Sequence, residues 1–253
     1  MCIYAFAVNP NKNYKFILVG NRDEFYDRKA LPAHFWKEYL NLLAGKDLKE
    51  QGTWLGITKT GKIAFLTNYR NPTLIKHNAP SRGFIVKNFL TSDVPIQKYA
   101  TELYSRKDIY NGFNLVFGTI NDLYYYSNIG GLNKINEGTH TLGNAFLDTK
   151  WPKCKKLENY LNTILYSDKI DLNTIFNYLE DETKADDSEL PDTKIGYEKE
   201  KLLSSIFVKS DTYGTIFSYF IYVNKDNQVF FAEKDQLSNK ITTYKFTINK
   251  YSP

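Results

Sequence analysis

Cys2, Tyr4, Phe6 and Val8 alternate with Ile3, Ala5 and Ala7, and Asn9-Pro10-Asn11-Lys12-Asn13 then turns the chain. A period-two run closed by turn formers predicts a strand over 2–8, with Tyr14 to Gly20 returning as its partner. Such a hairpin brings the start of its first strand beside the end of its second. Asn21-Arg22-Asp23-Glu24 is therefore expected near Cys2. A second hairpin is predicted from Gly52–Thr58, a turn at Lys59-Thr60-Gly61, and Lys62–Asn68. Ser81–Leu90 and Val94–Ser105 carry helical spacing, with Ser92 or Asp93 as the cap of the second. Strands are expected over Gly112–Thr119 and Asp122–Ser127, joined by Ile120-Asn121.

The clearest helix is Trp151–Tyr166, where Cys154, Leu157, Leu161, Ile164 and Leu165 fall on one face, and Asp171–Leu179 continues as helix. The acidic stretch Glu180–Lys194 reads as a surface loop, because strands resume after it: Tyr213–Val223, Gln228–Glu233 and Ile241–Ile248. Strands flanking a central block of helices predict antiparallel sheets covered by helices, an α+β fold in one domain over residues 1–253.

Composition narrows the function classes. Twenty tyrosines and seventeen phenylalanines in 253 residues predict an aromatic core or pocket. The net charge of +5 is mild, and its lysines and arginines are scattered, so no basic stripe for a nucleic acid is expected. Two cysteines exclude a disulfide framework. The apolar start is too short for a signal peptide, no run approaches the ~18 residues of a membrane span, and lipid-anchor signals are missing. A cytoplasmic setting is expected. His34, His77 and His140 share no metal-ligand spacing, and neither phosphate-binding glycine motif is present.

Cys2 draws attention as a nucleophile. Were Met1 removed, one residue would carry both a thiol and a free amine able to activate it; the bland alternative is a small buried strand residue. Arg22 can lower the pKa of a nearby thiol, a carboxylate can orient an amine, and Asn21 can meet a substrate amide. The same run also fits a salt-bridged turn. Asn68 and Asn144 each stand where a strand stops, where they serve either as oxyanion donors or as turn formers. Cys154, on an apolar helix face, reads as core.

Met1-Cys2-Ile3, Asn21-Arg22-Asp23-Glu24-Phe25, Gly52-Thr53-Trp54-Leu55-Gly56, Thr67-Asn68-Tyr69-Arg70, Ser81-Arg82-Gly83, Tyr110-Asn111-Gly112-Phe113-Asn114-Leu115, Gly143-Asn144-Ala145 and Tyr213-Gly214-Thr215 follow one another along nearly the whole chain. In that order they resemble the NRDE-motif family, also called the transport and Golgi organisation protein family. That family in turn resembles the N-terminal-nucleophile hydrolases of the penicillin V acylase and bile-salt hydrolase type. The resemblance implies a four-layer αββα sandwich. It also implies Cys2 as nucleophile, Arg22 and Asp23 as its partners, and Asn68 and Asn144 as holders of the oxyanion. The acylase-type enzymes separate the arginine and the aspartate, which leaves Glu24 as the alternative carboxylate. Asn21, Glu24, Trp54 and Tyr69, inside the matching motifs, are expected to bind substrate. Family members commonly follow Tyr-Gly-Thr with arginine, whereas this chain has Ile216.

Two functions are compatible with this reading. One is a cysteine amidohydrolase or thioesterase-like hydrolase of small acyl substrates with an apolar part. The other is a non-catalytic carrier or chaperone on the same fold, with roles implied by the resemblance in haem trafficking and in acyl-CoA or lipid handling. Neither requires a cofactor; haem enters only as cargo. The expected partner is a small molecule, with no nucleic acid and no integral membrane segment, and the oligomeric state stays open.

Overall fold

A computed structural model describes residues 2–167 and 169–249. The removal of Met1 and the tail at 250–253 lie outside the described residues. The expected first hairpin forms as β1 (Cys2–Val8) and β2 (Tyr14–Phe25), and β2 runs five residues beyond the predicted Gly20. Its extra length is held by β11 (Tyr213–Asn224), which pairs antiparallel along nearly all of it, from Tyr213 opposite Phe25 to Asn224 opposite Tyr14. With β10 (Gly138–Leu142), β12 (Gln228–Asp235) and β13 (Lys240–Thr247) they make a six-stranded antiparallel sheet, in the order β10-β1-β2-β11-β12-β13.

A second sheet has the order β3-β4-β5-β6-β7-β8-β9. It contains the expected strands β5 (Leu55–Thr58), β6 (Lys62–Asn68), β7 (Phe113–Thr119) and β8 (Asp122–Ser127). Three more were not anticipated: β3 (Ala30–Phe35), β4 (Leu42–Asp47) and β9 (Gly131–Lys134). β3 and β9 are edge strands, exposed over much of their length, and lack the alternation that betrays a half-buried strand.

The inner faces of the two sheets meet in one aromatic core. Tyr4 and Phe6 from β1 both pack edge-on against Phe65 of β6, at 5.1 and 5.2 Å. The outer face of the first sheet, with Ile3, Ala5 and Ala7, is covered by α3 (Pro152–Leu165) and α4 (Leu172–Leu179). Cys154, Leu157, Leu161 and Ile164 supply the helix side. The outer face of the second sheet is covered by α1 (Gly83–Thr91) and α2 (Ile96–Ser105). The chain is thus an α+β protein, a four-layer αββα sandwich. Both faces of β1 are apolar because each is roofed, one by the other sheet and one by helices.

One local reading is corrected. The cap of α2 is Pro95 rather than Ser92 or Asp93. Proline forces Val94 toward extended backbone and needs no N–H bond at a helix start, so the helix opens directly behind it. α4 forms where helix was expected, with Asp171 as its cap accepting from the Asn173 and Thr174 amides. The stretch 180–194 is a loop apart from one short turn at Asp187–Glu189, and it leads into the brief α5 (Tyr197–Leu202). Among the described residues no helix is long and apolar enough to cross a membrane.

Candidate active site

The β1–β2 register sets Cys2 directly opposite Arg22, as the hairpin geometry predicts. On the other side of β2, Asp23 faces Thr215 and Glu24 faces Gly214 of β11. Gly214 cannot carry a side chain here, because a Cβ would lie 2.2 Å from the Tyr26 hydroxyl and 2.6 Å from the Val208 carbonyl. Between Thr215 and Phe217 the pairing shifts by one residue, and Ile216 in that irregularity is buried in the core between the sheets. The site of the commonly found arginine therefore adds packing here and no charge.

These strand ends open on a half-enclosed cavity of about 290 Å³. Cys2, Arg22, Asp23 and Glu24 line it together with Trp54, Asn68 and the segment Ala79–Gly83. The Arg22 guanidinium lies over the Trp54 ring, 3.9 Å from its centroid, a contact of about 2 kcal/mol when water is excluded. Trp54 is itself braced: its indole N–H donates to the Tyr219 hydroxyl at 2.9 Å, and its ring stacks on Phe217. Arg22 reaches Glu24 at 3.7 Å, and Glu24 reaches Arg28 at 3.8 Å. Arg28 then donates twice to Asp47, at 2.9 and 2.7 Å.

Asp23 is fully buried and accepts from the Thr215 hydroxyl at 2.7 Å. Burial pushes its carboxyl up; the cations of Lys153 and Arg70 and the Thr215 hydrogen bond pull it back. Burial also raises the Cys2 thiol, opposed by the nearby Tyr4 hydroxyl and by Arg22. The Tyr4 hydroxyl makes no well-formed hydrogen bond. The thiol at rest is consequently protonated and needs a base to act as a nucleophile.

The family model described as transport and Golgi organisation 2 matches residues 1–238. The chain belongs to the transport and Golgi organisation 2 family. The Homo sapiens transport and Golgi organization protein 2 homolog is 35% identical, covering 98% of this chain and 99% of its own. The Bos taurus homolog is 34% identical, with 99% of each chain covered. Among solved structures, the C2A mutant of conjugated bile acid hydrolase from Clostridium perfringens aligns over 100% of this chain and 99% of its own, with a TM-score of 0.48 and 10% identity.

Every wall of the cavity lies within the span matched by the transport and Golgi organisation 2 family. Of the nine residues singled out from the sequence, Cys2, Arg22, Asp23, Glu24, Trp54 and Asn68 line it. The other three do not. Asn21 is turned to the helix layer, donating its amide to the carbonyls of Leu179 and Ile206 at 2.8 and 3.0 Å. It pins α4 and the 203–212 segment to the sheet. Asn144 is buried behind Asn68, donating to the Asn68 carbonyl at 3.0 Å and accepting from Arg70 at 3.4 Å. Tyr69 packs against the Phe146 ring at 4.9 Å, tilted by 38°, outside the cavity.

The structure adds residues that the sequence reading passed over. Arg28 and Asp47 form a doubly hydrogen-bonded pair in the cavity wall, and Asp47 stands in an unanticipated strand with no motif around it. Arg82 belongs to the quoted Ser81-Arg82-Gly83 run, yet nothing in that run assigned it a place in the site. Burial lowers its guanidinium to about 10. Behind Asp23, Arg70 pairs with Glu200 at 2.7 Å, both side chains nearly inaccessible. Lys153 lies in the same region, its ammonium pushed down to about 8 by burial, with Arg70 pushing the same way.

Proposed function

We propose that this chain is a cysteine hydrolase that transfers a small acyl group from an amide or thioester to Cys2 and then to water. The observation that carries this reading is the placement of Cys2 opposite Arg22 at a small polar cavity, with the buried Asp23 as the next residue along the strand. In this reading Met1 is removed and the freed amine of residue 2 is the base. The Cys2 Sγ adds to the substrate carbonyl carbon while its proton passes to that amine. The oxyanion formed meets the Asn68 amide, with the Arg22 guanidinium in the same wall. Collapse expels the amine or thiol, which takes the proton, and leaves an acyl thioester on Cys2. A water molecule, deprotonated by the same amine, attacks the thioester and releases the carboxylic acid and the thiol. Asp23 holds the protonated amine in place. Asn144 acts as a positioning residue through the Asn68 backbone.

Cavity chemistry favours this reading over a carrier of haem or a long acyl chain. A carrier needs a largely apolar enclosure. Here the walls are mostly charged and polar, with Trp54, Leu66, Ala79 and Pro80 the main apolar contributors. The volume is at the lower edge of the ~300–1,000 Å³ usual for drug-sized ligands. The test is mass spectrometry of the purified protein, first intact and then after incubation with a hexanoyl thioester. Loss of Met1 and a hexanoyl adduct on Cys2, with none on Cys154, are expected. A retained Met1 ends the self-activating route, and turnover that survives Cys2→Ala ends the reading altogether.

A further inference from the structure

Most carboxylates of the cavity wall are already committed, whereas two of its arginines have donors to spare. Asp23 accepts from Thr215. Asp47 takes both Arg28 bonds on one oxygen and the Lys49 and Glu50 amides on the other. Glu24 accepts from the Phe25 amide and stands between Arg22 and Arg28. Glu50, half-buried, is the remaining acid of the wall.

The cations are not equally satisfied. Arg22 is 3% exposed, and among the described residues its Nη1 has no hydrogen-bond partner. Arg82 has one hydrogen bond, from Nη1 to the Gly112 carbonyl at 2.8 Å, and among the described residues no carboxylate forms an ion pair with it. Arg82 also sits at the N-cap of α1, and Gly83, the first residue of that helix, is part of the cavity wall. The helix dipole adds positive potential at that end, although the Gly83 amide already donates to the Ser81 hydroxyl and the Ile85 amide to the Arg82 carbonyl. Glu24 is thus the one carboxylate near the buried Arg22, at a loose 3.7 Å, and the half-buried Arg82 has no ion pair among the described residues.

We infer that the cavity contains an oxyanion subsite, formed by Arg82, the start of α1 and Arg22, and that its substrate bears a carboxylate or phosphate near the scissile acyl bond. This deepens the proposed hydrolase reading and rests on it for the word substrate; binding of the anion stands independently. Arg82 and Cys2 line the same cavity of about 290 Å³, so an anion held by Arg82 shares that space with the reacting carbonyl. The guanidinium fork suits either oxyanion.

The test is carried out on the Cys2→Ala protein, which binds without turnover, so that a failed hydrolase reading leaves it intact. Calorimetry compares N-hexylsuccinamate, its neutral diamide and N-hexanoyl-O-phosphoethanolamine. The anionic probes are expected to bind about tenfold or more tightly than the diamide, as charge-assisted hydrogen bonds require. That preference should shrink with added salt. The stronger of the two anionic probes identifies the source of the oxyanion. Arg82→Gln in the same background should erase the preference. In the native chain, N-hexylsuccinamate but not the diamide should protect Arg82 from phenylglyoxal, a readout that does not depend on the variant folding. Equal affinity for charged and neutral probes, or a preference untouched by Arg82→Gln with Arg82 unprotected, would overturn the inference.

Discussion

The two cysteines of this chain sit on opposite sides of the same sheet and make an instructive pair. Both are buried, and burial raises both thiols, Cys154 to about 11. Cys154 lies on α3 among Leu157, Leu161 and Ile164, against the outer face of the first sheet. Cys2 lies on the inner face, where the strand ends open on the cavity and Arg22, Asp23 and Glu24 converge. Burial and pKa do not separate the two thiols. What separates them is what each faces: packed hydrocarbon in one case, unsatisfied donors and room for a ligand in the other.

The sharpest way to break this contrast is to remove each thiol in turn. Cys2→Ala should lower acyl transfer by roughly 10⁶-fold, the scale seen when a covalent nucleophile is deleted, as read by hexanoyl-thioester turnover. The next largest effect tests the charges behind the site. Glu200→Gln leaves Arg70 buried without its counter-ion, which should cost about 3–5 kcal/mol in urea unfolding. Equal stability would mean that this ion pair is not holding the loop before α5 against Asn144 and Asn68.

A pH experiment examines the support under Arg22. Trp54 hangs from the Tyr219 hydroxyl, and Tyr219 neighbours Glu233, a carboxyl that burial raises to about 7. The folded state therefore holds this proton more tightly than the unfolded chain does. Stability should fall as pH rises from about 4.5 to about 7, by about 3 kcal/mol in all, and level off above. Glu233→Gln should flatten that fall, as measured by denaturant titrations at several pH values. The smallest effect belongs to the other thiol. Cys154→Ala should cost about 1 kcal/mol of stability and leave acylation of Cys2 unchanged. Any loss of acyl transfer in that variant would undo the contrast.

How much of this was legible beforehand depended on whether the relevant contact was local. Cys2 opposite Arg22 follows from alternation and one turn, because a hairpin's register is decided within some twenty residues of chain. The apolar face of α3 followed from its spacing in the same way. Asn21 shows where that logic stops. Its neighbours in sequence line the cavity, while its own side chain turns the other way, to carbonyls 158 and 185 residues distant. Asn144 likewise stands at a strand end, as expected, but its amide is spent on the Asn68 backbone.

Arg28, Asp47 and Arg82 were silent for a related reason. A charged residue in a polar stretch carries no mark of burial until another layer closes over it. Strand pairing, helix faces and the approach of Cys2 to the NRDE run were thus written in local periodicity, which needs only neighbours in the chain. The cavity, its unpaired guanidinium donors and the roles of the asparagines arose when two sheets and a helix start met. Their energies depend on which solvent and which partners each group loses on folding, and those are supplied by residues far away in the chain.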